Sequence, residues 1–193
     1  MTTMNEEQSK AAPGPLALVQ ALVNTQYGQG RREHVELTSP EQLRAWLVAH
    51  RLLADGTPVT QGDFRRVLQL REALRSLLRA NNETGMLASP IEVFNRLASD
   101  APLTVRLHPD GLSTLEPDIA AVDGAIARLV GMVFTAMTDG TWARLKACRN
   151  DRCQKAFYDT SKNRSGAWCS MAGCGSRLKA RAYRHRRTAH REG

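Results

Sequence analysis

The 193-residue chain has few aromatic residues, 5% of the total, and only four cysteines. No apolar run approaches the roughly 20 residues that a membrane helix needs. The best stretch, Ile126 to Met137, is too short and contains Arg128. The first ten residues, Met1–Lys10, are polar and lack the apolar segment of a secretory leader. These absences predict a soluble, cytoplasmic protein with no membrane partner. Residues 1–140 also lack a nucleophile elbow, a phosphate loop and an HExxH helix, so no enzyme activity is expected. His34, His50 and His108 are isolated and read as surface or core-edge residues.

A hydrophobic fraction of 42% supports one medium domain and a small module. Residues 1–12 read as a disordered tail. Residues 13–140 read as a helical domain with one small β-hairpin. Residues 141–193 read as a zinc module with a basic C-terminal helix, so the expected fold class is mainly α.

Punctuation and period place the elements. Leu16, Val19, Leu22 and Val23 mark a short helix that Tyr27-Gly28 breaks. Ser39-Pro40-Glu41 combines a capping serine, a first-turn proline and an acid at the positive dipole end. Leu43, Trp46, Leu47 and His50 follow at helical spacing. Thr60 to Asp63 opens a long helix whose apolar stripe runs through Phe64, Val67, Leu68, Leu74 and Leu78. Arg65, Arg66, Arg75 and Arg79 flank that stripe. Ser89-Pro90 starts another helix, expected to bury Ile91, Phe94 and Leu97. His108-Pro109-Asp110-Gly111 is a turn between two alternating segments, hence the hairpin. Pro117-Asp118 is expected to open a long helix with Val122, Ile126, Leu129, Val133, Phe134 and Met137 on its apolar face.

Charge is unevenly spread. Residues 141–193 carry 14 Lys and Arg against 3 acids, whereas residues 1–140 carry 13 against 16. A mildly acidic body with a strongly basic end points to a polyanionic partner for the end.

The four cysteines all lie in that end. Cys148 and Cys153, then Cys169 and Cys174, form two close pairs separated by a hairpin-sized insert. Two such pairs wrap one tetrahedral ion, and soft thiolates favour zinc. Four protein ligands leave no open position, so the zinc is expected to be structural. Disulfides, a redox dithiol and an iron–sulfur cluster are the competing readings. The absence of a CxxC motif disfavours the redox dithiol.

Lys162, Asn163 and Arg164 sit in a polar, turn-forming stretch expected to be an exposed loop. After Cys174, Leu178, Ala182, His185 and Ala189 fall on one helical stripe, with Arg177, Lys179, Arg181 and Arg184 on other faces. These basic residues, with Ser176, are the candidate nucleic-acid contacts, mostly to phosphate. DNA is the leading partner. RNA, with Tyr158, Trp168 and Tyr183 stacking on bases, is the second reading, and an acidic protein partner is the third.

The stretches Cys148-Arg-Asn-Asp-Arg-Cys153, Phe157-Tyr158-Asp159, Trp168-Cys169-Ser170-Met171 and Cys174-Gly175-Ser176-Arg177 resemble the CGNR zinc-finger family. Here Ser176 stands where that family has asparagine. Upstream, Leu22-Val23-Asn24-Thr25, Leu43-x-x-Trp46-Leu47 and Arg71-Glu72-Ala73-Leu74-Arg75 are similar to the helical ABATE domain. The resemblance implies a bacterial, stress-linked, DNA-binding transcription regulator with four cysteines on one zinc, associated with the nucleoid when bound. It also implies a sensing or dimerising helical domain. Asn24, Thr25, Trp46 and Arg71 are the candidate pocket for a small-molecule effector, against the blander reading that they pack helices. A homodimer would place two fingers on two half-sites.

Overall fold

The computed structural model describes residues 10–29, 33–85 and 88–176. Five helices carry the body: α1 (Leu16–Asn24), α2 (Pro40–Ala49), α3 (Gln61–Arg79), α4 (Ala88–Ser99) and α5 (Ala121–Thr138). Three two-stranded antiparallel ladders complete it: β1–β2 (Gln26–Tyr27, His34–Val35), β3–β4 (Leu103–Leu107, Ser113–Pro117) and β5–β6 (Leu145–Ala147, Ala156–Tyr158). The mainly helical class with small hairpins is as expected.

The capping signals act as they read. The Ser39 hydroxyl accepts from the Gln42 amide, and Pro40 opens α2. Thr60 and Asp63 satisfy each other's backbone amides in a capping box at the start of α3. α3 is the central strut. Phe64, Val67, Leu70, Leu74, Leu77 and Leu78 are buried on it, and α4, α1, α2 and α5 all contact it.

Several expectations shift. The body holds a second, minimal ladder, β1–β2, where only a helix break was read. Two residues per strand are too few to show a period. α5 begins at Ala121, not at Pro117-Asp118, because Pro117 pairs with Leu103 at the end of β4. Gly124 makes this late start feasible, since any Cβ there would collide with the Ile119 carbonyl oxygen. Of the three apolar residues expected to be buried on α4, only Leu97 is; Ile91 and Phe94 are half-buried. On α5 the buried face is built largely from small residues, including Gly124, Ala125, Ala127, Gly131 and Ala136. Phe134 is 56% exposed and Met137 47% exposed, because the helix turns its small side toward its neighbours. α5 is apolar and long enough to cross a membrane by composition, but half of it is buried in this core.

The core does not stop at residue 140. Trp142, Leu145, Ala147 and Ala156 belong to the same buried cluster as α1 to α5. Lys10 and Ala12, expected in the tail, are also held. The Lys10 carbonyl accepts from the Tyr158 amide at 2.9 Å, and the Ala12 amide donates to Gln20 at 2.6 Å.

Gly124→Ala should destabilise the fold by about 1–3 kcal/mol, the usual cost of overpacking. A thermal unfolding midpoint equal to that of the native chain would sink this account of the α5 start.

Candidate metal centre and its seat on the helical body

The β5–β6 hairpin delivers both cysteines of the first pair. Cys148 follows β5 directly, and its amide bonds to the Lys155 carbonyl at 3.0 Å. Asn150 shapes the turn between the strands. Its carbonyl accepts from Cys153 at 2.7 Å and Gln154 at 3.1 Å, which closes the turn under Gln154 at a left-handed φ of 54°. Of the second pair, Cys174 sits on a tight π-helical turn, Met171–Gly175, capped by the Ser170 hydroxyl accepting from Gly173 at 3.1 Å, and Cys169 immediately precedes that cap. Gly175 is needed there. A Cβ would lie 2.9 Å from Met171 Sδ and 3.1 Å from Trp168 Cδ1.

The four sulfurs all lie within 4.8 Å of one another. Cys153 Sγ is 3.6 Å from Cys169 Sγ, which is 3.8 Å from Cys174 Sγ. A tetrahedral zinc with Zn–S of about 2.3 Å requires sulfurs about 3.8 Å apart. The donor set therefore fits that ion. Asn150 Nδ2 points at Cys174 Sγ at 3.5 Å, an outer donor of the kind that orients ligands.

The sulfurs also show why a cation belongs among them. Thiol hydrogen bonds from Cys148 and Cys169 favour the Cys153 thiolate and draw its pKa down to about 2. The hydrogen bond to Cys153 in turn keeps Cys148 protonated, up to about 12. Cys169 is pushed upward by its hydrogen bonds to Cys148 and Cys153 and by burial. The Cys153 thiolate is favoured as it stands, and a cation among the sulfurs would favour the thiolates of Cys148 and Cys169 as well.

The rest of the module is held by a buried ion pair. Lys146 Nζ meets Asp159 Oδ2 at 2.8 Å and also donates to the carbonyls of Arg164 and Gly166. Both side chains are at most 5% exposed. Asp159 further accepts the amides of Ser161 at 3.0 Å and Gly166 at 2.8 Å. Burial alone would raise the Asp159 pKa, but Lys146, the Ser161 hydroxyl and these amides outweigh it and hold the carboxyl at about 2. Gly166 has no room for a Cβ, which would lie 2.5 Å from Asp159 Oδ1.

This pair positions the loop expected to meet nucleic acid. The Lys162, Asn163 and Arg164 side chains are exposed, while the loop backbone around them is pinned from beneath. Ser176 is exposed, and its hydroxyl donates to the Met171 carbonyl at 2.9 Å. Arg177, Lys179, Arg181 and Arg184, with the helix read for them, lie outside the described residues. Tyr158 and Trp168 are half-buried; Trp168 packs against the cysteine cluster.

The candidate pocket residues make the packing contacts of the alternative reading. Asn24 brackets one residue of β6. Its Oδ1 accepts from the Ala156 amide at 2.8 Å, and its Nδ2 donates to the Ala156 carbonyl at 3.0 Å. The Thr25 hydroxyl donates to the Leu22 carbonyl at 2.7 Å, closing α1. Arg71 is buried beside it, reaching Gln26 Oε1 at 2.5 Å and Glu72 at 2.8 Å, with Thr25 Oγ1 at 3.4 Å. Burial pulls the Arg71 pKa down, against Glu72, which supports the charge. Asn24, Thr25 and Arg71 thus form one seam. Trp46 stands apart, in the core, stacked on His50 with centroids 4.1 Å apart.

Residues whose local sequence carried no such signal complete the seam. Arg75, expected on the flank of α3, is buried and ties the carbonyls of Val23 (2.8 Å), Gln26 (2.6 Å) and Gln154 (3.2 Å). Gly28 donates to the Cys153 carbonyl at 2.7 Å. Asn81 Nδ2 reaches the Trp142 and Leu145 carbonyls, both at 2.9 Å, and Asn82 Nδ2 reaches Ala147 at 2.9 Å. Arg149 returns to the Asn82 carbonyl at 2.8 Å. Arg75 lay within a recognisable motif, but nothing local showed that its partners were carbonyls some fifty and eighty residues away.

Two family models match the chain. ABATE, described as a putative stress-induced transcription regulator, matches residues 16–139, and the CGNR zinc finger matches residues 144–187. No curated protein matches it. Sulfur geometry and family agree: Cys148, Cys153, Cys169 and Cys174 hold a structural zinc.

Chelation of the zinc should expose all four thiols to alkylation, and metal analysis should return one zinc per chain. Asn24→Ala should cost about 1–3 kcal/mol by orphaning the Ala156 amide, while Gln20 Nε2 still reaches the Ala156 carbonyl at 3.2 Å. Lys146→Met should cost about 3–5 kcal/mol, since Asp159 would be left charged and buried. The ion pair also sets an acid limit. The Asp159 pKa is lowered by folding, so its stabilisation is complete above the unfolded value of about 3.9 and disappears as pH falls toward 2. In Asp159→Asn that acid-dependent component should vanish from denaturation curves between those values.

Proposed function

The chain belongs to the ABATE family and ends in a CGNR zinc finger, and on that premise we propose that it is a DNA-binding transcription regulator of the bacterial cytoplasm, without enzymatic activity. The observation that carries this reading is the Lys162–Arg164 loop. Its cationic side chains project from a backbone anchored by the Lys146–Asp159 pair, beside the zinc-bound turns. A rigid base with exposed cations suits phosphate contact, because little side-chain and loop order has to be gained on binding. The basic residues beyond the described segment, Arg177, Lys179, Arg181 and Arg184, would extend this surface along the DNA. Zinc serves the fold of the module and takes no part in chemistry.

The helical body would act as the sensing and dimerising part. Val105, Leu107 and Leu112 on the β3–β4 hairpin are exposed apolar side chains, Leu107 at 81%. A second copy covering them would set two fingers on spaced half-sites.

RNA is the reading to be separated from this one. Selection of zinc-loaded protein against random duplex DNA at near-physiological salt should enrich a defined motif, with two spaced copies if the protein dimerises. Lys162→Ala with Arg164→Ala should weaken binding and reduce the salt slope by roughly 2, one for each phosphate left unneutralised. No enriched motif, with tighter binding to single-stranded or duplex RNA, would replace DNA by RNA as the partner.

A further inference from the structure

A sizeable groove among the described residues lies away from the zinc. α5, β4 and the turn before α1 enclose a groove of about 870 Å3, within the range of small-molecule sites, about 300–1,000 Å3. Leu16, Leu115, Arg128, Gly131, Thr135 and Ala136 line it. α5 presents Gly131 and Ala136 to the groove, and Gly131 lets the β3–β4 hairpin pack closely on the helix beside it. At Gly131 even a single Cβ would come within 3.3 Å of Leu103 Cδ1.

Its charged groups differ in how many of their hydrogen-bonding sites are already taken. Glu116 faces the groove, but its carboxylate already pairs with Arg106 at 2.8 Å and accepts from the Thr114 hydroxyl at 3.2 Å. Asp139 accepts both the amide (2.8 Å) and the hydroxyl (2.6 Å) of Thr141. Arg128, by contrast, donates one hydrogen bond, to the Leu52 carbonyl at 3.2 Å. Among the described residues it has no carboxylate partner. The wall of the groove thus combines an apolar surface, Glu116 paired with Arg106, the charged Asp139 carboxylate hydrogen-bonded to Thr141, and one guanidinium with spare donors.

We propose that this groove binds a small amphipathic carboxylate, with its anionic head on Arg128 and its apolar body along Leu16, Leu115 and α5. An arginine fork matches a carboxylate in two parallel hydrogen bonds, which an alcohol of equal length cannot supply. The ligand would rest on the helix that runs into Trp142–Arg144 and then β5, the strand that delivers Cys148. Its service as the effector of the regulator rests on the function proposed above; the binding itself does not.

The test uses the full-length, zinc-loaded chain and the fluorescence of 8-anilinonaphthalene-1-sulfonate, an amphipathic anion. The native protein should bind the dye, and decanoate should displace it at least tenfold more effectively than decanol. Arg128→Gln should erase that preference. Thr135→Trp, which fills the groove from an exposed position, should abolish dye binding while leaving zinc content and thiol protection unchanged. Failure of the native chain to bind the dye, equal displacement by decanoate and decanol, or an undiminished preference in Arg128→Gln would each overturn the proposal. Decanoate binding that leaves DNA selection unaltered would remove the effector role and keep the site. Loss of DNA binding altogether would leave the dye result standing by itself.

Discussion

One side chain, Asn24, decides how the zinc module relates to the helical body. Its carboxamide grips the amide and the carbonyl of Ala156 together, as a neighbouring strand would. β6 is an edge strand of a two-stranded ladder, so its outward polar groups need partners in a place that the core largely shields from water. Asn24 supplies two of them, and the Lys10 carbonyl supplies another to Tyr158. Arg75 and Gly28 extend the same logic to the carbonyls of Gln154 and Cys153. The first zinc-bound turn is thereby held by the body largely through its backbone, with Arg149 on Asn82 and Asp151 on Arg79 adding side-chain contacts.

That arrangement has an energetic consequence. The module's own apolar core is small: Phe157 and Trp168 pack on the cysteines. A module of this size ordinarily needs metal to fold. Here it also borrows the body's core through Trp142, Leu145, Ala147 and Ala156. Zinc, the Lys146–Asp159 pair and the seam are three separate anchors on one short stretch of chain. The first fixes the two cysteine turns to each other, the second fixes the Lys162–Arg164 loop, and the third fixes both to the helices.

α5 lies at the centre of the body's contacts. One side of this helix packs on α1, α3 and α4 through small residues, another side holds the β3–β4 hairpin, and a groove runs between hairpin and helix. Its C-terminal end continues into the strand that carries Cys148. A ligand in the groove and a nucleic acid on the finger would therefore bear on the same continuous segment. Coupling between them is a matter of two packings of that segment and needs no long relay.

Much of this was legible in the chain itself. The cysteine spacing specified a zinc site because each pair needs only a local turn. Ser39-Pro40 and Thr60–Asp63 marked helix starts because caps act within three residues. Charge counting located the basic end. What stayed hidden depends on partners distant in sequence. Asn24, Thr25 and Arg71 stood as a candidate pocket against the blander reading of helix packing, and their hydrogen bonds go to the Ala156 backbone, the Leu22 carbonyl and the side chains of Gln26 and Glu72. Arg75 read as a flanking cation and Lys146 as part of the basic end, although each is buried by carbonyls or a carboxylate that only the folded chain brings near. The late start of α5 followed from strand pairing at Pro117, which outweighs a local helix signal. Sequence by itself determined the ligands, the caps and the sign of the charge, since these are set within a few residues or by simple summation. Tertiary structure alone decided which polar groups are consumed in holding the module and which, like Arg128, are left over, because a hydrogen-bonding group's role depends on what else reaches it.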